Sequence, residues 1–246
     1  MKIQIKYIFI FMLIIWPVYA SAEFIGSFQG AAVYSARNDV ALPGDTGSRF
    51  SYCNDLDSDV VFSPRAEAGY MFAGRHYAGF MASLLRIEAD GTLDRDIRFD
   101  DKVFASGTKV KGKYRFDSYR ATYRYHLVNN GNIKLGAGLT GKIRDAEISL
   151  EGGGQKGSLS NTGFVFLLNY YLEVVLSQHY SLLTYGDAAW SPYGRAEDIF
   201  AGLLYRIDKD TAIMAGYRML EGGADNDTVY TFSMFHYAVL GVELRF

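Results

Sequence analysis

Charged side chains of both signs recur at alternate positions along several stretches of this chain of 246 residues. Residues two positions apart share one face of an extended strand, so this spacing gathers charge on a single face. Gathered charges of opposite sign can neutralise each other as ion pairs, bind a small ligand, or line a passage for solutes. The candidate residues are Arg65, Glu67, Arg120, Arg124, Lys142, Arg144, Glu173, Asp187, Arg218 and Glu243. Their role depends on the elements that carry them.

These elements have the pattern of β-strands. Apolar and polar residues alternate with period two in runs such as Phe164–Val174, Thr211–Met219 and Ala238–Phe246, which is typical of strands with one apolar face. Turn residues at Asn129–Asn132 and Asp208–Asp210 separate consecutive runs, as in β-hairpins. Beyond the amino-terminal segment, no apolar run is long enough to span a bilayer as a helix. The pattern predicts about ten strands, with about eight or twelve as alternatives.

The composition excludes several classes of protein. Lys and Arg total 25 against 27 Asp and Glu, without the basic excess usual in nucleic-acid-binding domains. Aromatic residues make up 15% of the chain and prolines number 4, a composition that does not favour disorder. The single cysteine, Cys53, excludes an intrachain disulfide framework. Glu23 occupies the position where a bacterial lipoprotein would need a cysteine.

The amino terminus has the three regions of a secretory signal peptide. Two lysines supply the positive region, Tyr7–Tyr19 the apolar region, and Ala20–Ala22 the small-residue cleavage site. The apolar region is shorter than a membrane-spanning helix requires. We therefore predict a signal peptide over residues 1–22 and one exported domain over residues 23–246.

Short and long connections alternate along the chain. Short ones such as Ala73–His76 and Leu176–His179 would face the periplasm, with the longer polar ones outside the cell. The longer connections are expected at residues 36–57, 89–112, 151–161, 191–198 and 221–228. This alternation brings both ends of the domain to one rim and predicts a closed antiparallel β-barrel.

The two strand faces favour a membrane as the surroundings of this barrel. The polar face collects the charged residues, which lipid would not tolerate. Tyrosine and phenylalanine near strand ends on the other face suit the bilayer interfaces. These aromatic residues are Tyr70, Phe72, Tyr123, Tyr125, Tyr170, Tyr217 and Phe246. The predicted fold is all-β, a closed antiparallel transmembrane β-barrel with ionised side chains in its lumen.

The last residues resemble the carboxy-terminal assembly signal of Gram-negative outer-membrane proteins, a final Phe preceded by apolar residues at alternate positions. The matching residues are Ala238, Leu240, Val242, Leu244 and Phe246. Members of this group often have Tyr where Leu244 stands. The resemblance implies insertion by the barrel-assembly machinery and a location in the bacterial outer membrane, among its lipids and lipopolysaccharide. It implies nothing about activity.

Catalysis remains an alternative, because the omptin proteases and lipid A deacylases among outer-membrane barrels place His with Asp, Glu or Ser at the outer rim. The first three histidines fall at predicted periplasmic turns, and the fourth shares a face with lipid-directed residues. The four are His76, His126, His179 and His236. Asp187 and Asp198 lie near the expected outer rim, which leaves an aspartate-based hydrolase open. We assign no catalytic residue.

Two segments near the expected outer rim interrupt the pattern. Lys142–Ile148 carries charges on successive residues, which predicts either a β-bulge or a strand that has already left the lipid. Glu221–Asp227 is acidic but lacks the spaced ligands of a calcium loop, so we assign no metal site.

A barrel of about ten strands is too narrow for an open aqueous channel. We therefore expect the luminal charges to pair and plug the barrel, and the protein to serve as a structural or surface-interaction component of the envelope. A small-solute or ion channel or binding barrel and an outer-membrane hydrolase are the alternatives. We expect a monomer with no cofactor, no metal and no nucleic-acid partner.

Overall fold

The computed structural model describes residues 22–192 and 194–246. The expected signal peptide lies outside this part of the chain, apart from its last residue. Across the described residues, no helix has the length and apolar character needed to span a membrane. The chain there consists of strands joined by turns and loops.

The strands alternate between long wall elements and short pieces near one end. In the described residues they are β1 (Glu23–Ala41), β2 (Phe50–Ser51), β3 (Asp57–Ser58), β4 (Val61–Phe72), β5 (His76–Ser83), β6 (Arg86–Thr92), β7 (Ile97–Phe99), β8 (Lys102–Phe104), β9 (Lys109–Asn129), β10 (Ile133–Gly152), β11 (Gln155–Val175), β12 (Tyr180–Ser191), β13 (Gly194–Arg206), β14 (Thr211–Asp225) and β15 (Tyr230–Arg245).

Ten of these strands form a closed antiparallel barrel. The ladder runs β1, β4, β5, β9, β10, β11, β12, β13, β14 and β15, and β15 pairs back onto β1 from Ile25–Arg245 to Ala41–Tyr230. At the seam, Phe24 and Phe246 exchange backbone hydrogen bonds of 3.1 and 2.9 Å. Strand β6 continues the line of β5 along β9. The predicted all-β, closed antiparallel barrel of about ten strands is confirmed.

The wall strands extend well beyond a bilayer on one side. Strands β9, β10 and β11 contain 21, 20 and 21 residues, whereas about 9–11 residues cross a membrane. The expected loop at 151–161 is therefore a hairpin that turns at Gly153 and Gly154, both with positive φ. Much of the expected loops at 191–198 and 221–228 is also strand. Polar composition alone made these solvated strand ends resemble loops.

The two faces of the wall differ as a bilayer requires. Outward side chains are large and apolar, including Phe62, Phe80 and Leu240, which are 69, 74 and 62% exposed. Inward side chains such as Arg120 and Glu173 are buried and ionisable. Because an exposed apolar belt is unfavourable in water and favourable in lipid, the barrel is a transmembrane one.

The strand over Lys142–Ile148 is regular, so the β-bulge, one of the two alternatives for this segment, is wrong. Strand β10 keeps one register with β11 throughout, and its ladder with β9 shifts only between Leu135 and Gly136. From Asp145 onward β10 has left the lipid zone: Asp145 and Glu147 pair with Arg115 at 2.9 and 3.3 Å. Asp145 and Glu147 thus belong to a solvated ladder, whereas Lys142 is buried in the lumen.

An apolar core that the sequence pattern did not predict closes the end of the barrel to which the long strands extend. We call this end the outer end, following the predicted orientation. We call residues 42–60 and 93–108, which include β2, β3, β7 and β8, the outer cap. Its fully buried residues include Phe50, Tyr52, Phe99 and Phe104. Tyr52 donates a hydrogen bond of 2.9 Å to the Ser149 carbonyl of β10. Burial raises the pKa of Tyr52 well above its ordinary value, so the phenol stays neutral.

Candidate functional site

Three arginines converge on one aspartate in the middle of the lumen. Asp198 of β13 accepts contacts from Arg120 of β9 at 2.6 Å and from Arg65 of β4 at 3.3 Å. The Nε of Arg218 on β14 lies 3.5 Å from its other carboxylate oxygen. All four residues are at least nine-tenths buried. The strands β4, β9, β13 and β14 thus contribute one charge each to a shared point.

A second aspartate joins this group through Arg120. Asp187 accepts hydrogen bonds from Arg120 Nη1 at 2.6 Å, from Thr140 Oγ1 at 2.6 Å and from Asn169 Nδ2 at 2.8 Å. We call Arg65, Arg120, Asp187, Asp198 and Arg218 the central charge cluster. Pairing of this density is needed, because an unpaired ion in a narrow lumen costs several kcal/mol of desolvation.

Two neutral side chains and one glutamate stabilise the excess positive charge of the cluster. Arg218 donates hydrogen bonds to Gln29 Oε1 and, at 3.1 Å, to the Tyr185 hydroxyl. Gln29 in turn donates to Tyr185 at 3.0 Å. Arg65 also lies 3.8 Å from Glu67, which accepts a hydrogen bond of 2.6 Å from Tyr77.

On the side of the cluster away from the outer cap, which we call the periplasmic side, Arg124 lies between two tyrosine rings. Its guanidinium carbon is 4.5 Å from the ring centroid of Tyr77 and 4.4 Å from that of Tyr171. It donates one hydrogen bond, at 3.4 Å, to Asn169. Within the described residues, no carboxylate lies within ion-pair distance of Arg124. Cation–π contacts with the two rings therefore take the place of an ion pair for this arginine.

Two glutamates of the predicted set form separate pairs near the periplasmic rim. Glu173 pairs with Lys134 at 3.1 Å and with Arg206. Glu243 pairs with Arg245 at 2.8 Å. These pairs border a cavity of about 260 Å³ that lies among Arg124, His126, Tyr77, Tyr171, Glu243 and Arg245. We call this cavity the periplasmic vestibule.

The remaining predicted cations lie on the other side of the cluster. Lys142 Nζ is 4.7 Å from the ring centroid of Phe116. Arg144 donates a hydrogen bond of 2.7 Å to Asn161. The structure therefore divides the predicted set into a central group, a periplasmic group, and this outer pair.

Asp187 and Asp198 were both expected near the outer rim, Asp198 at the end of a loop, and that placement is wrong. Asp198 lies inside β13 directly opposite Asp187 of β12, and both are buried in the lumen. The sequence did contain a signal for the inward position of Asp198. Asp198 lies at alternate positions with Phe200 and Leu204, which are also buried. Gln29 and Tyr185 were missed because neutral side chains do not stand out by charge.

The histidines do not form a catalytic group with acids. His76 contacts the Tyr123 hydroxyl at 2.8 Å, His179 the Arg206 carbonyl at 3.0 Å, and His236 the Tyr217 hydroxyl. His126 was expected at a turn but is buried in the lumen on β9. Among the residues that the structure describes, no histidine lies within hydrogen-bonding distance of an Asp or Glu side chain, and no acidic or His cluster has the form of a metal site.

Closed pairing, an apolar outer belt and a charged interior together define a transmembrane β-barrel of the bacterial outer-membrane type. The outer membrane is accordingly the location of the chain. The chain matches no protein-family model and no curated protein.

Among solved structures, it is similar to the outer membrane protease OmpT from Escherichia coli, with a TM-score of 0.61, 6% identity, and coverage of 91% of this chain and 97% of that one. It is also similar to the translocator domain of the autotransporter NalP from Neisseria meningitidis, with a TM-score of 0.45, 14% identity, and coverage of 98% and 95%. At such identities the likeness concerns the fold alone.

Proposed function

We propose that the protein is a closed outer-membrane barrel that anchors an ordered platform on the cell surface, with a structural or surface-interaction role. The main observation behind this proposal is that the lumen is filled at two levels. The central charge cluster crosses the lumen, and the apolar outer cap packs above it. A barrel built to conduct would not fill its bore at two levels.

Planar-bilayer recording of the purified full-length chain tests the closure. We expect no steady current above that of protein-free membranes. A reproducible, sizeable open state of the unaltered protein would overturn the proposal and favour the channel alternative. A trimeric porin, recorded in the same bilayers, verifies that the assay detects an open barrel.

Surface display is tested separately by inserting a short peptide tag between Gly153 and Gly154, at the tip of the β10–β11 hairpin. We expect an antibody to label intact cells. A matched tag between Gln178 and His179, in the turn between β11 and β12, should be labelled only after the outer membrane is permeabilised. The opposite pattern would contradict the orientation.

A second candidate function, binding of a small anion from the periplasm, is supported by the vestibule. Neither ring nitrogen of His126 has a hydrogen-bond partner among the described residues, and the Nε of Arg124 also lacks one. Arginine held between aromatic rings presents its edge to carboxylates. Calorimetric titration with citrate should detect binding that Arg124→Gln abolishes and that Arg115→Gln, at the outer end, retains. Absence of binding to the unaltered chain excludes this candidate for citrate.

We also propose that residues 1–22 are removed on export, that the barrel-assembly machinery reads the terminal Phe246, and that the barrel is monomeric. The positive region, the apolar region and the small-residue cleavage site at the amino terminus support the removal of residues 1–22. Intact-mass measurement of protein purified from outer membranes should give a chain that begins at Glu23, and light scattering in detergent should give the mass of one copy.

A further inference from the structure

The barrel wall has a gap between β11 and β12 toward its outer end. In the described chain, the ladder between these strands runs from Val175–Ser181 to Leu168–Ala188 and ends there. Strand β11 continues to Gln155 and stays paired with β10 over its whole length. The edge of β11 that faces β12 therefore has no ladder partner in the described chain beyond Leu168.

The gap begins inside the membrane-spanning part of the wall. The outward residues of β11 are apolar as far as Phe164. Phe166 and Leu168 lie between Phe164 and the membrane centre. All three side chains are more than half exposed. The next outward residues, Thr162 and Ser160, are polar. An open strand edge is unfavourable in hydrocarbon unless it borders a polar cavity or a ligand. A polar cavity or a ligand beside residues 164–167 would satisfy this edge.

A cavity of about 140 Å³ lies behind this gap, and we call it the lateral slot. It is lined by Phe164 and Val165 of β11, Lys142 and Arg144 of β10, and Arg195 and Glu221 across the gap. A second cavity of about 310 Å³ adjoins it, since both are lined by Tyr114, Phe116 and Arg144. No residue of β12 lines the slot among the described residues.

The charges around the slot are unbalanced toward positive. Lys142 is buried, and within the described residues no carboxylate lies within ion-pair distance of its ammonium. Arg144 has one hydrogen bond, to Asn161, and its buried Nε has no partner. Arg195 pairs with Glu221. Three cations thus face one carboxylate, an arrangement that favours an anionic group with several acceptor oxygens.

An apolar groove runs over the outer surface of the barrel beside the slot. It has a volume of about 760 Å³ and is floored by small residues, including Ala66, Ala121 and Gly141, between larger apolar side chains. Phe164 lines both this groove and the slot. A ligand at the slot would therefore have a cationic pocket on one side of Phe164 and a lipid-facing groove on the other.

We propose that the lateral slot binds the phosphate headgroup of an acylated lipid of the outer leaflet. The phosphate lies against Lys142, Arg144 and Arg195, and an acyl chain leaves past Phe164 into the groove. The cations would fix an anion, and the break in the ladder gives a membrane lipid sideways entry that a continuous wall would deny. This inference goes beyond the closed-barrel role, because it assigns a ligand to the wall and not to the bore.

The test uses the full-length barrel in neutral maltoside detergent and a brominated lysophosphatidic acid as the probe. Trp190 is paired with Arg195 on the β12–β13 ladder and is 64% exposed, so bromine at the slot should quench its fluorescence. We expect saturable quenching, at least tenfold weaker for brominated lysophosphatidylcholine, whose phosphate carries a cationic choline. Equal, non-saturating quenching by both probes would overturn the proposal.

Variants separate the slot from general lipid contact. Lys142→Met and Arg144→Gln should each weaken binding about tenfold, the loss of one charge-assisted contact. Lys134→Met, at the periplasmic vestibule, should leave the affinity unchanged. Val165→Phe keeps every charge but narrows the slot, and should also weaken binding. A folded barrel migrates differently in a gel before and after heating. Each variant should keep this difference, which verifies that it is folded. Unchanged affinity in all three slot variants contradicts the assignment.

Inorganic phosphate distinguishes the source of the anion. We expect it to compete with the lipid probe only at concentrations at least a hundredfold above those of the lysolipid, because it lacks the chain that the groove holds. Competition at equal concentration would show a site for free phosphate and overturn the lipid assignment.

Discussion

Asp187 and Asp198 lie directly opposite each other on the adjacent antiparallel strands β12 and β13, with both carboxylates in the lumen. Like charges in this position destabilise a sheet. Arg120 reverses the effect, because its two terminal nitrogens each lie 2.6 Å from one of the two carboxylates. A single guanidinium from β9, three strands away from β12 around the barrel, thus joins two neighbouring strands that would otherwise repel each other.

Replacement of Arg120 by methionine should strongly destabilise the barrel. The change leaves two buried carboxylates short of a partner, for which the expected loss is about 3–5 kcal/mol of the free energy of unfolding. Urea unfolding in lipid vesicles measures it. Lys113→Met is the control, because Lys113 and Glu88 form an exposed pair at 3.3 Å, and such pairs contribute about 0–1 kcal/mol. Similar losses for the two variants would contradict a structural role for the cluster.

Asp187→Asn in the Arg120→Met background should recover part of that loss, because it removes the repulsion between the two facing carboxylates while Asn can still accept the hydrogen bond from Thr140. The same urea titrations measure the recovery. A double variant that is less stable than Arg120→Met alone would show that repulsion between Asp187 and Asp198 is not the main reason why Arg120→Met loses stability.

Truncation of Phe99 should loosen the outer cap without opening the wall. Phe99 is fully buried, with its ring centroid 5.7 Å from that of Phe50, and deletion of a buried phenyl ring costs about 3–5 kcal/mol. We expect Phe99→Ala to make residues 42–60 and 93–108 sensitive to trypsin while the wall remains intact. Val103→Ala, at an exposed position of β8, should stay resistant. Equal digestion of the two variants would contradict the packed cap.

Acid should weaken the cap through Asp55. Burial acts to raise the pKa of Asp55, but hydrogen bonds from Arg95 and the Ser51 amide, with the charge of Arg95, outweigh it, so the pKa lies below its ordinary value. A lowered folded-state pKa gives stability that is complete above the unfolded value of about 3.9 and is lost as pH falls through the folded value.

Trypsin does not act at such pH, so pepsin digestion of the cap below about pH 4 measures this effect. We expect the cap of the unaltered protein to become more sensitive as pH falls through this range, whereas Asp55→Asn should be sensitive from the start and change less. Asp57→Asn, two residues away, should behave as the unaltered protein does. A pH profile that Asp55→Asn leaves unchanged would exclude the Asp55–Arg95 pair as the cause.

Loss of the terminal aromatic ring should impair assembly in cells more than folding in vitro. The Phe246 ring is 6.1 Å from that of Phe24 across the seam, so both contribute to the same local contact. We expect Phe246→Ser to lower the outer-membrane level several-fold, and Phe24→Ser much less, while both refold equally into detergent micelles. Equal outer-membrane levels would show that the terminal residue is not read by the assembly machinery.

The wall was predictable because each wall strand presents one face to lipid and the other to the lumen, and this alternation survives in the sequence. The cap was not, because Phe50, Tyr52, Phe99 and Phe104 occupy short strands and loops without sustained periodicity. The lateral slot also escaped prediction. It depends on where β11 and β12 stop pairing, which is a property of register and not of either strand's own residues.

The lumen was predictable in kind and not in detail. Inward positions of Arg65, Arg120 and Arg218 follow from alternation, but which carboxylate each arginine reaches depends on the stagger of strands far apart in the chain. Asp198 shows the difficulty, because polar neighbours made it resemble a loop residue while the ladder carries it into the bore.

The height of the β10–β11 hairpin determines which part of the protein is contacted first from outside the cell. Nine positions separate Phe164, the last apolar outward residue of β11, from Gln155, a rise of about 30 Å along the strand at ~3.3 Å per residue. In the proposed orientation, a projection of this size stands clear of the outer leaflet. Bacteriophages and host defences approaching the cell would meet its glycine tip first, and strain-to-strain sequence drift should therefore concentrate there.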